Sequence, residues 1–323
     1  MFSCSCAPTL ISSSLDIKAV NCLLPVAGLV EQPLRTTPVK RQKQMTGNEI
    51  FCIRTLMLRI ILIFLSLTNL FVQPVHAQEV VKPADLKPLV LTGRADVLKV
   101  IDPQTLLLHD GRTIHLTGLH FPDFSMQVVG DYSLMAKKIL EDAFLGETVL
   151  VYQTPQDDWG RMNRMGHHLA HLQRQSDKLW LQGLLISLGL AEVKTTQRTP
   201  ELSQEMYALE KQARNEEIGL WSDPTYKILE PSEAYKHMDS FQIVEGHVVS
   251  AAMKNNRVFL NFGVDWREDF TASVSAQDRS LFNKQGINPL EWNQKNLRVR
   301  GWVRNYNGAF IEIDHPQAVE VLK

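Results

Sequence analysis

The chain has 323 residues, of which 44% are hydrophobic and 21% charged, enough for about two globular domains once a leader is removed. Of its 34 Lys/Arg and 35 Asp/Glu, seven and three fall in residues 1–77, so the remainder carries 27 basic against 32 acidic residues, a formal charge of −5. That balance excludes a general polyanion binder, and any contact with phosphates has to come from a local basic patch.

Residues 1–56 lack clear periodicity, contain Pro33 and Pro38 and the basic cluster Lys40, Arg41 and Lys43, and read as an extension upstream of the true start at Met57. From Met57, Arg59 precedes a 13-residue apolar run, Ile60 to Val72, and then Gln-Pro-Val-His-Ala, with Val75 and Ala77 at −3 and −1. This is the pattern of a signal peptide at 57–77, cleaved after Ala77, and the run is short of the roughly 20 residues of a membrane span. Export to the periplasm or beyond is the expectation, with no stable membrane span in the mature chain. All four cysteines (Cys4, Cys6, Cys22 and Cys52) precede Ala77, so no disulfide or thiolate chemistry is expected after it.

A linker with Pro83 and Pro88 occupies 78–94. Ala95 to Ile101 and Thr105 to His109 then read as strands, Asp110-Gly111 as a hairpin turn, and Thr113 to Leu119 as a third strand, the start of a small antiparallel barrel. Asp131 or Ser133 is placed to cap a helix whose apolar face includes Met135, Ile139, Leu140 and Phe144, with Gly146 as its stop, followed by a strand at Thr148–Gln153. Trp180–Leu188, stopped by Gly189, and Leu202–Ile218, stopped by Gly219, read as two further helices, the second with Leu202, Met206, Leu209 and Ala213 at helical spacing. In His167-His168-Leu-Ala-His171, strand alternation puts His167 and His171 on one face and His168 on the other, as surface or barrel-rim residues.

Several runs now stand in order: Val-Ile-Asp102-Pro-Gln104-Thr105; Ile-His115-Leu-Thr-Gly-Leu-His120-Phe121-Pro122-Asp123; Asp157-Asp158-Trp159-Gly160-Arg161; Trp-Leu-Gln-Gly…Leu-Gly-Leu-Ala-Glu-Val; and Gly219-Leu-Trp-Ser-Asp. Through them the stretch from Ala95 to Asp223 resembles the staphylococcal nuclease (thermonuclease) family. The resemblance implies a five-stranded OB-type barrel with three helices, in an α+β, mostly β chain. It also implies calcium held by two carboxylates and a carbonyl, a Glu that activates water, and two arginines that stabilise the charged transition state.

Set on this chain, the metal positions fall on Gln104 and His120, with Phe121 as the carbonyl donor. The Glu falls on Asp123, the first arginine on His115, and the second on Arg161 or, with a shorter insertion, Arg164. A site altered in this way holds calcium poorly and loses roughly 3 kcal/mol of transition-state stabilisation for each missing donor. Two metal readings remain open beside no metal at all. Calcium is the family's ion, whereas zinc, manganese or iron would suit a pocket retuned by His115, His120 and Asp123.

Past a linker at 224–240 with Pro224 and Pro231, strands are expected at Phe241–Val249, Arg257–Phe262, Asp269–Val274, Leu297–Val303 and Phe310–Ile313, with a turn at Asn307-Gly308. They suggest a second small, OB-like β-barrel over 241–323. It resembles the C-terminal β-domain found beside exported thermonuclease-like domains. Phe259, Phe262, Trp266, Phe270, Trp302 and Tyr306, with Arg257, Arg267, Arg298, Arg300 and Arg304, have the composition of a single-strand-binding face, diluted by Asp265, Glu268, Asp269, Glu312 and Asp314. The combined expectation is an exported thermonuclease-like protein, by ancestry a metal-dependent endonuclease acting on DNA or RNA, with a heavily altered site. The alternative is an inactive nucleic-acid-binding or envelope scaffold module.

Overall fold

Alternating apolar residues build the first half of the protein around a closed barrel. In the computed structural model, residues 85–125, 127–156, 160–265 and 269–322 are described. The leader with its cysteines, the cleavage site, Asp157, Asp158, Trp159, Trp266 and Arg267 lie outside the described residues. Strands β1 (Val90–Asp102), β2 (Thr105–Leu108), β3 (Thr113–Leu116), β5 (Thr148–Gln153) and β6 (His168–Arg174) close in the order β1-β2-β3-β6-β5. All pairs are antiparallel except β3 with β6. A separate two-stranded piece joins β4 (Gly118–His120) to β7 (Glu192–Lys194). β1 starts before Ala95 because its first half lies along β5, from Val90 opposite Gln153, and Leu86 and Leu89 are already buried in the core.

Three helices complete this half: α1 (Asp131–Phe144), α2 (Leu181–Ser187) and α3 (Ser203–Asn215). α1 buries Ser133, Ala136, Leu140 and Phe144, which share a face at helical spacing, whereas Met135 is 53% exposed, against the sequence expectation. Gly189 and Gly219, both in the left-handed region, end the segments around α2 and α3 and lie against each other. Leu220 N–H donates to Gly189 O (2.7 Å), and a Cβ on Gly219 would stand 2.4 Å from that oxygen. Glycine is therefore required at this crossing by sterics as well as by φ.

The second half has its own apolar core, from Leu229 to Ala318, yet both halves belong to one compact unit. Its strands are β8 (Phe241–His247), β9 (Ser250–Lys254), β10 (Arg257–Asn261), β11 (Thr271–Val274), β12 (Asn296–Asn305), β13 (Ala309–Ile313) and β14 (Val319–Leu322). In place of the expected closed barrel, the pairing runs β14-β12-β13-β11-β10-β9, with β8 also on β12, as one seven-stranded sheet. A short helix, α4 (Arg279–Lys284), buries Phe282, whose ring packs edge-on against Trp292. The segment 224–240 is folded into tight turns that bury Leu229 and Ala234 in the second core, so it is part of the domain it was expected to lead into.

Candidate functional site

Each residue on which the family's metal and water set falls makes a fold contact of its own. Gln104 follows the turn at Asp102, whose carboxylate accepts its N–H (2.8 Å), and its side-chain amide donates to Leu119 O (2.9 Å). The amide thus ties the end of β1 to β4. The Phe121 carbonyl accepts from Phe124 N–H (3.1 Å). Asp123 accepts the N–H groups of Tyr132 (2.9 Å) and Ser133 (3.1 Å) on one oxygen and the Ser133 hydroxyl on the other. It therefore caps the N-terminus of α1 from a distance, where the helix leaves its first N–H groups without partners and favours a negative charge. Neither Asp131 nor Ser133 acts as the N-cap proposed from sequence.

His120 sits at the junction with the second half. Its ring centroid lies 4.7 Å from that of Phe241 and 6.5 Å from that of Trp302. Lys194, on the strand paired with β4, places its ammonium 5.2 Å from the centre of each of those rings. Burial, reinforced by the Lys194 charge, pushes His120 down to about 3, so the imidazole is neutral. His115, on β3, is also shifted down by burial, with Asp102 opposing and His167 and Lys194 adding to the effect.

Neither candidate arginine is among these charged neighbours of His115. Arg161 turns its guanidinium to the carbonyls of Thr154 (3.0 Å) and Pro155 (3.3 Å). Arg164 is exposed in the turn that follows, where the Asn163 carboxamide oxygen accepts from Met165 and His167 N–H. The residues from Arg161 to His168 thus form a small hairpin, with Asn163 N–H donating to His167 O (3.0 Å), before the chain continues as β6 from His168. His171, by contrast, is a core residue rather than a rim one. It is 2% exposed, accepts from the Trp180 indole N–H (3.3 Å), and is held neutral by burial at about 3.

These placements bear on the metal readings for the residues described. A hard cation needs several free oxygens, and here one position is an amide bonded to backbone, one a neutral imidazole beside an ammonium, and one a helix cap. His115, His120 and Asp123 do not converge either: among the described residues no group of three His, Cys, Asp or Glu is arranged to hold a metal ion. Neither calcium nor a histidine-retuned transition metal fits this arrangement.

Sequence reasoning also missed Glu192, which faces His120 across the β4–β7 pair. It is buried, its Oε2 has no hydrogen-bond partner, and burial, with Glu210 adding to the effect and Arg300 opposing it, raises its pKa to about 8. Its only signal was an acidic residue inside the apolar run Leu-Ala-Glu-Val.

The cap assigned to Asp123 is testable. Asp123→Ala is expected to lower stability by about 1–2 kcal/mol in urea unfolding, with Asp123→Asn losing less because an acceptor remains. Unchanged stability in both variants would remove the capping role.

Residues 113–223 match the family model described as staphylococcal nuclease homologue. A search of curated proteins finds no match to the chain. The matched span begins at β3, so β1, β2 and Gln104 are tied to it by the barrel pairing alone. From that match and the closed five-stranded barrel with three helices, the chain carries a staphylococcal-nuclease-like domain.

Proposed function

We propose that this protein is an exported nucleic-acid-binding member of the nuclease-like class in which binding has been kept and calcium-dependent cleavage given up. The observation that carries the reading is the covering of His120. The position of a metal carboxylate is now an imidazole packed on Phe241 and flanked by Lys194, so a phosphodiester and a cation have no common place to meet there. Gln104 and Asp123, held by fold contacts, point the same way. Export follows from the leader pattern ending at Ala77, and among the described residues no helix is long and apolar enough to cross a membrane. With a net charge of −5 after that leader, the binding surface has to be local rather than global.

The test is incubation of the protein with single-stranded DNA, duplex DNA and RNA in calcium, manganese, zinc or EDTA, alongside calcium calorimetry and fluorescence anisotropy. Retention of at least one nucleic acid is expected, with no calcium heat and no cleavage in any metal. Calcium-dependent cleavage that disappears in Arg161→Ala would overturn the proposal.

A further inference from the structure

Among the described residues, the structure separates several of the aromatic and basic residues singled out in the second half. Phe262 and Phe270 are buried and pack on each other at 5.0 Å, and Arg298 and Arg300 are committed to carboxylates. What stays at the surface is a stripe along β12: Trp302, 46% exposed, then Arg304, exposed, then Tyr306, 59% exposed just past the strand end. Alternate residues of a strand share a face and repeat every ~7 Å, so Arg304 follows Trp302 on one face of β12 and Tyr306 comes next along the chain.

Both rings have a packing neighbour. Lys194 lies against Trp302, and Tyr306 packs on Phe310 with centroids 5.1 Å apart. The stripe joins two clefts. One, of about 560 Å³, is bordered by Lys194, Phe241, Trp302 and Arg304, and the other, of about 520 Å³, by Lys254, Phe259, Asn261, Tyr306 and Phe310. Arg257 lines both. Of the anions near this path, Glu312 pairs with Arg257 (2.8 Å), and the Asp314 carboxylate is hydrogen-bonded to the His315 ring. Asp278 also lines the first cleft, where its carboxylate accepts from Ser275. Among the described residues no ion pair holds Lys254 or Arg304.

We infer that this stripe and its two clefts form a track for single-stranded nucleic acid, with bases stacking on Trp302, Tyr306 and Phe259 and phosphates meeting Arg304 and Lys254. The inference rests on the nucleic-acid-binding reading above and gives it an address. Stacking is tolerant of sequence because every base has a flat face, while a duplex keeps its bases stacked on each other and offers none to the rings. Asn255, Asn261 and Asn307 along the second cleft add donors and acceptors without adding charge.

The test is fluorescence anisotropy of the full-length protein, as processed by the cell that makes it, with a labelled oligothymidylate and its duplex. Trp302→Ala and Tyr306→Ala are each expected to weaken single-strand binding about tenfold, while Trp302→Phe retains most of it. Arg304→Ala should flatten the salt dependence by about 0.7 in log–log slope, the value for one phosphate contact on a single strand. Lys138→Ala, an exposed cation on α1, should leave binding unchanged. If single strands bind but none of the β12 variants matters, the track is wrong and nucleic-acid binding stands. If no oligonucleotide binds, both fall. Binding of a neutral oligosaccharide in place of the oligonucleotide would reassign the clefts and also overturn the track.

Discussion

Arg300→Ala is expected to lower the unfolding free energy by about 3–5 kcal/mol, the range for removing one partner of a buried ion pair and stranding the other. Arg300 comes from β12 and is 4% exposed, and Glu210 comes from α3 and is fully buried. The guanidinium meets the carboxylate fork to fork, at 2.9 and 2.6 Å, and also donates to Val193 O (3.2 Å) and Glu320 (2.9 Å). Its Cζ lies 4.4 Å from the centre of the Tyr207 ring. Glu210 further accepts from Val193 N–H and Arg214, both at 2.8 Å. Burial opposes the Glu210 charge, but Arg300, with Arg214 and the Val193 N–H, outweighs it, so the carboxyl stays below its ordinary value. One charge pair therefore fastens the second half to the strand and helix that frame His120.

Urea unfolding followed by tryptophan fluorescence and by circular dichroism checks this. The variant should unfold at lower denaturant, with the two probes separating as the halves uncouple. Arg300→Met with Glu210→Gln should recover part of the loss, because no charge is then left buried. A loss under about 1 kcal/mol with a single shared transition would show that apolar packing alone holds the junction.

None of that junction was legible from sequence. Arg300 and Glu210 are 90 positions apart and lie in segments that read as an ordinary strand and an ordinary amphipathic helix. The first half was legible because its signals are local: alternation in β2, β3 and β5, the Asp110-Gly111 turn, and glycine stops at Gly146, Gly189 and Gly219. β9, with the sequence Ser-Ala-Ala-Met-Lys, was missed because small and polar residues carry weak strand preference, and only its pairing with β10 makes it a strand. α4 and β14 are too short for their periodicity to stand out.

At the site, the residue identities were readable but their partners were not. Nothing local says that the Gln104 amide will reach Leu119 O, or that Asp123 will cap a helix starting eight residues later. The arginines and aromatics of the second half could be named from sequence, but burial separated Trp302 and Tyr306 from Phe262 and Phe270. Sequence composition could not do this, since core and binding aromatics alternate along strands alike.

Glu192→Gln is expected to change how stability depends on pH as well as its level. The folded protein keeps the Glu192 proton up to about pH 8, whereas an unfolded glutamate releases it near 4.5. Between those values the folded state binds the extra proton, so this group makes the unfolding free energy fall as pH rises from about 4.5 to about 8, with no further change above and none below. His120 and His171 act in the opposite sense. Folded values near 3 against 6.5 when unfolded mean that the unfolded state binds the extra protons, so stability climbs with pH from about 3 to about 6.5. The wild-type protein should therefore be most stable near pH 6.5. Glutamine keeps the shape and removes the charge. At pH 4 the variant should match wild type, and at pH 8 it should be more stable by roughly 3–5 kcal/mol, with a plateau where wild type declines. Urea unfolding at intervals from pH 4 to pH 9 measures both curves. Parallel curves would mean that Glu192 finds a partner for its charge, and its raised pKa would have to be abandoned.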